Sequence, residues 1–232
     1  MHVPLDTSAG GELASVKHIS RTLENMQRPP ALSQFLRVVC DSILAKTAES
    51  GRHYATAQRM VSALQNSVGE TGNNAPTVLA ACRYLDVALD NARGGPPRIS
   101  ALADAFRALA PALSWQRRAG SELHGPVFND GHANTYVVGP NGMERRSDVI
   151  VGATLLAPNV VYPDHSHPPE EIYLVMSKGE WFETDANWYT PGMGGIVHHM
   201  PMVTHAMRSG SDPLFAVWCL WSGASPTSSS HP

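Results

Sequence analysis

The sequence predicts an α+β protein in which an N-terminal helical region is followed by a small β-barrel or β-sandwich. Apolar residues recur at three-to-four spacing through the first half of the 232-residue chain, as the buried faces of amphipathic helices require. Within 120–142, Gly, Pro, Asn and Asp become frequent, and short runs of β-branched and aromatic residues begin. We therefore expect a helical region over 1–125, a β-barrel over 126–224 and a flexible polar tail over 225–232.

Five helices account for the first half of the chain. They are predicted, in order, over 11–26, 33–50, 54–68, 76–94 and 97–113. Ser33 can serve as an N-cap, and Pro76 and Pro97 suit a first helical turn. The apolar faces indicate core packing, since no cluster of titratable residues accompanies them. The helices could cover the outside of the barrel or pair with a second subunit, which leaves a homodimer open.

Eight short strands account for most of the second half. Turn residues at 140–142, 177–179 and 209–213 separate several of them. The strands are predicted over 135–138, 149–156, 159–162, 172–176, 180–184, 195–199, 203–207 and 214–220. Many short strands at regular spacing are typical of a sandwich or barrel.

Composition excludes several classes of protein. A net charge of -3 argues against a general nucleic-acid binder, and no apolar run approaches the roughly 20 residues that span a bilayer. The N-terminus lacks the basic and apolar regions of a secretory signal. Cys40, Cys82 and Cys219 are widely spread among apolar neighbours, as buried free thiols are. We therefore expect a protein of the reducing cytoplasm.

One stretch, 162–179, concentrates metal-ligand residue types. It reads Y-P-D-H-S-H-P-P-E-E-I-Y-L-V-M-S-K-G, in which His165, His167 and Glu171 can converge because residues two apart on a strand share a face. His205 lies in a later extended run. Three imidazoles and a carboxylate suit one divalent first-row metal, with Zn, Fe, Mn, Co and Ni all acceptable. The alternative is that these four residues hydrogen-bond one another without a metal.

Other polar residues nearby are weaker candidates. Strand alternation puts Asp164 opposite His165 and Glu170 opposite Glu171, so both acids are expected at the surface or behind the ligands. His198 and His199 could line the pocket mouth or form a loop pair.

The ligand spacing resembles the two metal motifs of the cupin superfamily, which implies a jelly-roll β-barrel. Within that superfamily, Tyr173, Tyr162 and the pair Trp218 and Trp221 resemble features of the dimethylsulfoniopropionate (DMSP) lyases. The resemblance implies a metal-dependent carbon–sulfur lyase that releases dimethyl sulfide and acrylate. In that family the residue matching Tyr173 is implicated as the base or as a movable neighbour of the metal.

The two tyrosines also have a chemical rationale. Tyr173 follows Glu171 by two residues and shares its face, whereas Tyr162 enters from the preceding strand. A phenol has an ordinary pKa near 10, which a nearby divalent cation lowers. Either tyrosine could therefore be the base, or both could fill the barrel and orient a ligand.

Aromatic residues are dense in this half of the chain. A sulfonium cation binds well against aromatic faces, so substrate contacts are predicted for Trp181, Trp188, Trp218 and Trp221. Core packing explains the same residues equally well.

The leading functional hypothesis is a β-elimination. The metal would bind the substrate carboxylate, a tyrosinate would remove the α-hydrogen, and the sulfonium would leave without a general acid. The first alternative is an Fe(II) dioxygenase that uses the same four ligands. The second is a non-catalytic cupin that binds a small ligand.

Overall fold

The computed structural model of the protein describes residues 28–50, 53–184 and 186–223. Its helices are α1 (Pro30–Ser50), α2 (Tyr54–Asn66), α3 (Leu85–Arg93), α4 (Pro97–Leu109) and α5 (Pro126–Gly131), with 3₁₀ turns at Ala80–Tyr84, Ala110–Ala112 and Ser121–His124. Its strands are β1 (Glu70–Thr71), β2 (Trp115–Gln116), β3 (His132–Val138), β4 (Glu144–Arg145), β5 (Val149–Leu156), β6 (Val161–His165), β7 (Glu170–Val175), β8 (Glu180–Glu183), β9 (Ile196–His199), β10 (His205–Arg208) and β11 (Leu214–Trp221). Within the described ranges, no helix combines the length and apolar character needed to cross a bilayer.

The helical predictions need two corrections. The chain enters α1 at Pro30, so Ser33 is not an N-cap: it lies inside the helix, and its N–H donates to Pro29 O at 3.0 Å. The helix predicted from Pro76 does not start there, because Thr77 forms a parallel bridge with Ser114 and is held extended. The predicted helix over 11–26 and the tail over 225–232 lie outside the described residues.

All eight predicted strands are present, with ends that differ by a few residues. The additional strands β1, β2 and β4 contain two residues each, too few for a periodic pattern to show. The larger sheet has the order β1-β4-β3-β5-β11-β7-β9, with β2 paired to β3. The smaller sheet has the order β6-β10-β8.

Two apolar cores lie on opposite faces of the larger sheet. In β11, Phe215 and Val217 pack with the helices, whereas Ala216 and Trp218 pack inside the barrel. This separation follows from the two-residue alternation of a strand. The inner core also contains residues of β6, β8 and β10, so the two sheets enclose one interior.

The outer core joins the helices to the barrel. Phe106 of α4 is fully buried, and its ring meets Phe215 of β11 edge-on with centroids 4.9 Å apart. Truncating such a residue to alanine typically costs about 3–5 kcal/mol. The helical region and the barrel therefore share a core across the predicted domain boundary at residue 125. That boundary stays a prediction.

Candidate metal centre

Four strands bring the candidate ligands to one end of the barrel interior. His205 of β10 is the register partner of His165 of β6 in the smaller sheet. Glu171 of β7 is the register partner of His199 of β9 in the larger sheet. His167 follows β6 in the short loop before β7. The two sheets thus face each other across the candidate site.

Three of the histidines share one hydrogen-bonding arrangement. In each ring Nδ1 lies 3.0 Å from a backbone carbonyl oxygen two residues away in sequence. A carbonyl only accepts, so Nδ1 carries the proton and Nε2 keeps a free lone pair. Metal-binding histidines are commonly oriented in this way. The pairs are His165 with Pro163, His167 with Pro169, and His205 with Val203.

The ligand atoms lie close enough for a single ion. Those of His165, His167 and His205 lie within 4.8 Å of one another. Glu171 Oε2 is 3.0 Å from Nε2 of His167 and 3.3 Å from Nε2 of His205. All four predicted ligands are therefore brought together. Nε2 of His205 is buried and lacks a hydrogen-bond partner among the described residues, an arrangement that a metal would satisfy.

For His199 the sequence predicted only a place at the pocket mouth or in a loop pair. It is fully buried, its Nδ1 lies 2.5 Å from Glu183 Oε1, and its ring stacks on that of His205 at 3.9 Å and 16°. Its ligand atom also lies within 4.8 Å of those of Glu171 and His205, and its buried Nε2 lacks a hydrogen-bond partner among the described residues. His199 is therefore an alternative candidate ligand as well as a support for the His205 ring. The sequence did contain a signal for this position. His199 is two residues from Val197, which lies in the inner core, so the two side chains share one face of the strand.

The electrostatics of the cluster differ from ligand to ligand. Burial alone would lower the pKa of His167, but its hydrogen bond to Glu171 outweighs this effect and raises that pKa. Burial and the neighbouring His205 lower the pKa of His165 to about 3. Burial alone would raise the pKa of Glu171, but the adjacent His167 and His205 outweigh it and lower that pKa to about 2. His165 and Glu171 are therefore in the state in which they bind metals.

Both tyrosines line the same cavity as His165, His167 and Glu171. Burial raises the pKa of Tyr162 to about 12, against the opposing effects of an Asn134 hydrogen bond and the Arg118 charge. Burial and the Glu171 charge raise the pKa of Tyr173 well above 10. The protein groups alone therefore keep both phenols protonated at neutral pH.

A chain of hydrogen bonds leads to Tyr162. Trp218 Nε1 donates to Thr154 Oγ1 at 3.1 Å, and Thr154 Oγ1 donates to Asn134 Oδ1 at 2.6 Å. Asn134 Nδ2 then donates to the Tyr162 hydroxyl at 3.3 Å. The phenol oxygen is thus an acceptor in a directed network. Asn134 and Thr154 carry no signal in the sequence, because their pairing depends on the β3–β5 register.

The cavity has a volume of about 490 Å³, ample for a small zwitterion. Its lining includes three candidate ligands, His165, His167 and Glu171, and both phenols. Other lining residues include Gln116, Arg117, Arg118, Asn134, Tyr136, Thr154 and Trp218.

Comparison with known proteins identifies the family. A family model described as dimethylsulfoniopropionate lyase matches residues 52–216, which include every candidate ligand and both phenols. The chain belongs to the DMSP lyase family. The resemblance seen in the sequence is thereby confirmed.

Individual members of the DMSP lyase family are distant relatives. The chain is 27% identical over 149 residues to DddL of Cereibacter sphaeroides, covering 64% of this chain and 62% of that protein. It is 28% identical over 127 residues to the DMSP lyase DddQ of Ruegeria pomeroyi, covering 53% of this chain and 62% of that protein. The chain therefore matches about three-fifths of the length of these curated relatives.

The fold is also that of DMSP lyases. A crystal structure reported for the lyases RdDddP and RnDddQII has a TM-score of 0.65 and 20% identity, covering 83% of this chain and 93% of that chain. The predicted class, an N-terminal helical region followed by a cupin barrel, is confirmed.

Of the four predicted substrate-contacting tryptophans, Trp218 is the one that lines the cavity. Its ring meets Tyr136 edge-on, with centroids 5.3 Å apart at 84°. These two aromatic residues form an apolar wall beside the Tyr162 network.

The structure does not bring the other three tryptophans to the cavity. Trp181 is fully buried in the barrel core, with its ring centroid 6.3 Å from that of Tyr173. Trp188 lies under the Arg208 guanidinium at 4.3 Å. Trp221 is three residues from Trp218 and so faces the helical side of the sheet. The geometry therefore favours a substrate contact for Trp218 and core or surface packing for the other three, and the substrate contacts stay predictions.

The two rival carboxylates lie where alternation predicts. Asp164 is exposed. Glu170 accepts hydrogen bonds from Thr56 at 2.7 Å and Arg59 at 2.8 Å, and lies 2.7 Å from His198 Nε2. Glu170 therefore ties α2 to the strand that carries Glu171.

Proposed function

We propose that the protein is a metal-dependent carbon–sulfur lyase that cleaves DMSP to dimethyl sulfide and acrylate by β-elimination. One observation supports the proposal: three imidazoles and a carboxylate lie close together beside a cavity that two phenols line. Family membership supplies the substrate class.

The metal would be held by His165, His167, Glu171 and His205. Three nitrogen donors and one carboxylate accept Zn, Fe, Mn, Co or Ni, and availability decides among them. When bound, the divalent cation supplies Lewis acidity, which makes the hydrogen next to the substrate carboxylate more acidic and favours a nearby phenolate.

The phenolate of Tyr173 or Tyr162 takes the α-proton. The electrons of the broken C–H bond form the Cα–Cβ double bond, and the Cβ–S bond breaks with its electron pair moving to sulfur. Neutral dimethyl sulfide and the acrylate anion leave, and the proton passes to solvent. The sulfonium already carries a positive charge, so its departure needs no general acid.

The chain's other residues position these groups. Asn134 donates to the Tyr162 hydroxyl and thereby supports negative charge on that oxygen. Trp218 and Tyr136 offer aromatic surface to the sulfonium methyl groups.

Headspace gas chromatography tests the proposal directly. Metal-loaded protein supplied with DMSP should release dimethyl sulfide, with equimolar acrylate in solution. Tyr162→Phe and Tyr173→Phe should be assayed singly and together, with metal content measured in every sample. Loss of the base should lower kcat by about 10²–10⁴-fold. A double variant that retains full metal and an undiminished rate would end the tyrosine mechanism.

An Fe(II) dioxygenase would use the same four ligands, whereas a binding protein would leave its ligand unchanged. The family match favours the lyase over both. Anaerobic assays separate the two enzymes, because elimination consumes no oxidant. Release of dimethyl sulfide without oxygen supports the lyase; turnover only in the presence of oxygen contradicts it.

A further inference from the structure

Arg118 lines the cavity and its backbone is held by a buried side chain, although it lies outside the metal motifs. It follows β2, and its backbone N–H donates to His132 Nε2 at 2.9 Å. His132 is fully buried, its Nδ1 lies 2.6 Å from Phe128 O, and its ring stacks on that of Phe128 at 4.0 Å and 9°. The backbone at Arg118 is thus fixed to the first residue of β3 by a buried side chain.

The side chain of Arg118 points over Tyr162. Its guanidinium carbon lies 5.7 Å from the centroid of the Tyr162 ring, and the residue lines the cavity. Tyr162 in turn is 4.7 Å from the His165 ring, centroid to centroid. The guanidinium therefore lies one side chain away from the ligand cluster.

The guanidinium has an unsatisfied donor. Its Nη1 is buried and has no hydrogen-bond partner in the described part of the chain. The neighbouring Arg117 differs, because its guanidinium donates to Asn129 O at 2.8 Å and to Asp130 at 2.9 Å. Leaving a buried charged donor without an acceptor is costly, and an anionic ligand in the cavity would supply that acceptor.

We propose that Arg118 binds the substrate carboxylate. The planar guanidinium matches a carboxylate in shape and charge, and it repels a sulfonium. A zwitterion would therefore enter with its carboxylate toward Arg118 and its sulfonium away from it. This orientation places the α-carbon, one bond from the carboxylate, beside Tyr162. The identification of the zwitterion as DMSP rests on the proposed function, whereas carboxylate binding by Arg118 does not.

The sequence-based hypothesis assigned the carboxylate to the metal alone, so the two accounts differ in a measurable way. In our proposal, removing the guanidinium weakens the binding of any small carboxylate. If the metal alone held the carboxylate, the same change would leave carboxylate affinity nearly unaltered. Propionate carries only the carboxylate half of the substrate, and trimethylsulfonium carries only the cationic half.

Isothermal titration calorimetry of both probes on metal-loaded protein tests the proposal. Arg118→Gln should weaken propionate binding by about 10–100-fold, the usual effect of losing a charge-assisted hydrogen bond at a buried site. Arg118→Lys should give an intermediate loss, since it keeps the charge without the planar fork. The control Arg93→Gln removes the same charge from a guanidinium that pairs with Asp104 outside the cavity, and it should bind propionate within twofold of the wild type.

The second probe separates recognition from general damage. Trimethylsulfonium should bind Arg118→Gln as well as the wild type or better, because a like charge has been removed. Equal weakening of both probes would overturn the proposal, and so would propionate binding within twofold of the wild type. Should Arg118→Gln fail to fold, a propionate affinity of Arg118→Lys equal to that of the wild type would also overturn it.

These titrations need no turnover, so they remain informative if the proposed function fails. Absence of dimethyl sulfide together with Arg118-dependent propionate binding would refute the lyase and leave the carboxylate site standing. If the lyase is active, KM for DMSP should rise in Arg118→Gln by a larger factor than kcat falls.

Discussion

Replacing Thr154 with valine should destabilise the protein by about 2–4 kcal/mol. Thr154 is 2% exposed, and its hydroxyl accepts from Trp218 Nε1 and donates to Asn134 Oδ1. Valine has nearly the same shape, so no cavity opens. The cost comes from Trp218 Nε1 and Asn134 Oδ1, which each lose a hydrogen-bond partner at about 1–3 kcal/mol. The valine variant no longer buries a hydroxyl group, which offsets part of this cost.

Urea unfolding measures this cost, provided that the slope of the transition is unchanged. Thr154→Ser is the matched control: it keeps the hydroxyl and loses one buried methyl group, at a cost of about 1 kcal/mol. The same network holds Tyr162, so the valine variant should also lose activity. If the two variants unfold with equal free energies, the reasoning is refuted.

Three further predictions concern other parts of the fold. Burial alone would raise the pKa of Asp148, but hydrogen bonds from Arg146 at 2.8 and 2.6 Å outweigh it and lower that pKa. The stabilisation by the Arg146–Asp148 pair is therefore fully present above the ordinary carboxyl pKa of 3.8 and disappears as the pH falls through the lowered pKa. Asp148→Asn should melt at a lower temperature than the wild type at pH 7 but not in strong acid. A pH-independent difference in Tm would contradict this. His199→Ala removes the ring stacked behind a ligand and should weaken metal binding by about 10–100-fold in calorimetry, whereas an unchanged Kd would show that the stack is dispensable. Gly152→Ala would place a Cβ 2.3 Å from the Trp218 ring and 2.4 Å from the backbone oxygen of Thr135, so it should cost about 1–3 kcal/mol in urea unfolding, and wild-type stability would contradict the close approach of these groups.

Three of the four candidate ligands could be predicted from short-range geometry, whereas His205 reaches them through the long-range pairing of β10 with β6. His165 and His167 are two residues apart on or beside one strand, and Glu171 follows after a short turn, so strand alternation and the loop bring them together. The same rule placed Tyr173 with Glu171 and kept Asp164 outside. For these residues, local spacing and tertiary position agree.

The residues that sequence reasoning missed depend on long-range pairing. The guanidinium of Arg118 reaches the cavity because its backbone is tied to His132, 14 residues away. His199 reaches the site through the register of β7 with β9. Neither of these long-range contacts produces a periodic pattern in the sequence. Of the four predicted tryptophans, Trp218 lines the cavity. Aromatic content could not single it out, because it does not reveal the face on which each ring lies.

The wrong helix start at Pro76 has a long-range cause. The predicted start at Pro76 ignored the bridge between Thr77 and Ser114, which lies 37 residues away and holds the segment extended. Val78 is consequently 78% exposed, although the periodic pattern placed it on a buried face. Tertiary pairing overrides helical periodicity in short segments. The predicted oligomeric state and cytoplasmic location stay predictions.

The central claim is that cleavage of DMSP depends on an ion held by three imidazoles and one carboxylate. The most direct measurement follows dimethyl sulfide release while chelated protein is titrated with one divalent metal, alongside a His205→Ala variant. The account predicts no product before metal is added, a rise that saturates at one ion per chain, and no recovery in the variant. Dimethyl sulfide formed at the full rate by chelated protein or by His205→Ala would contradict it.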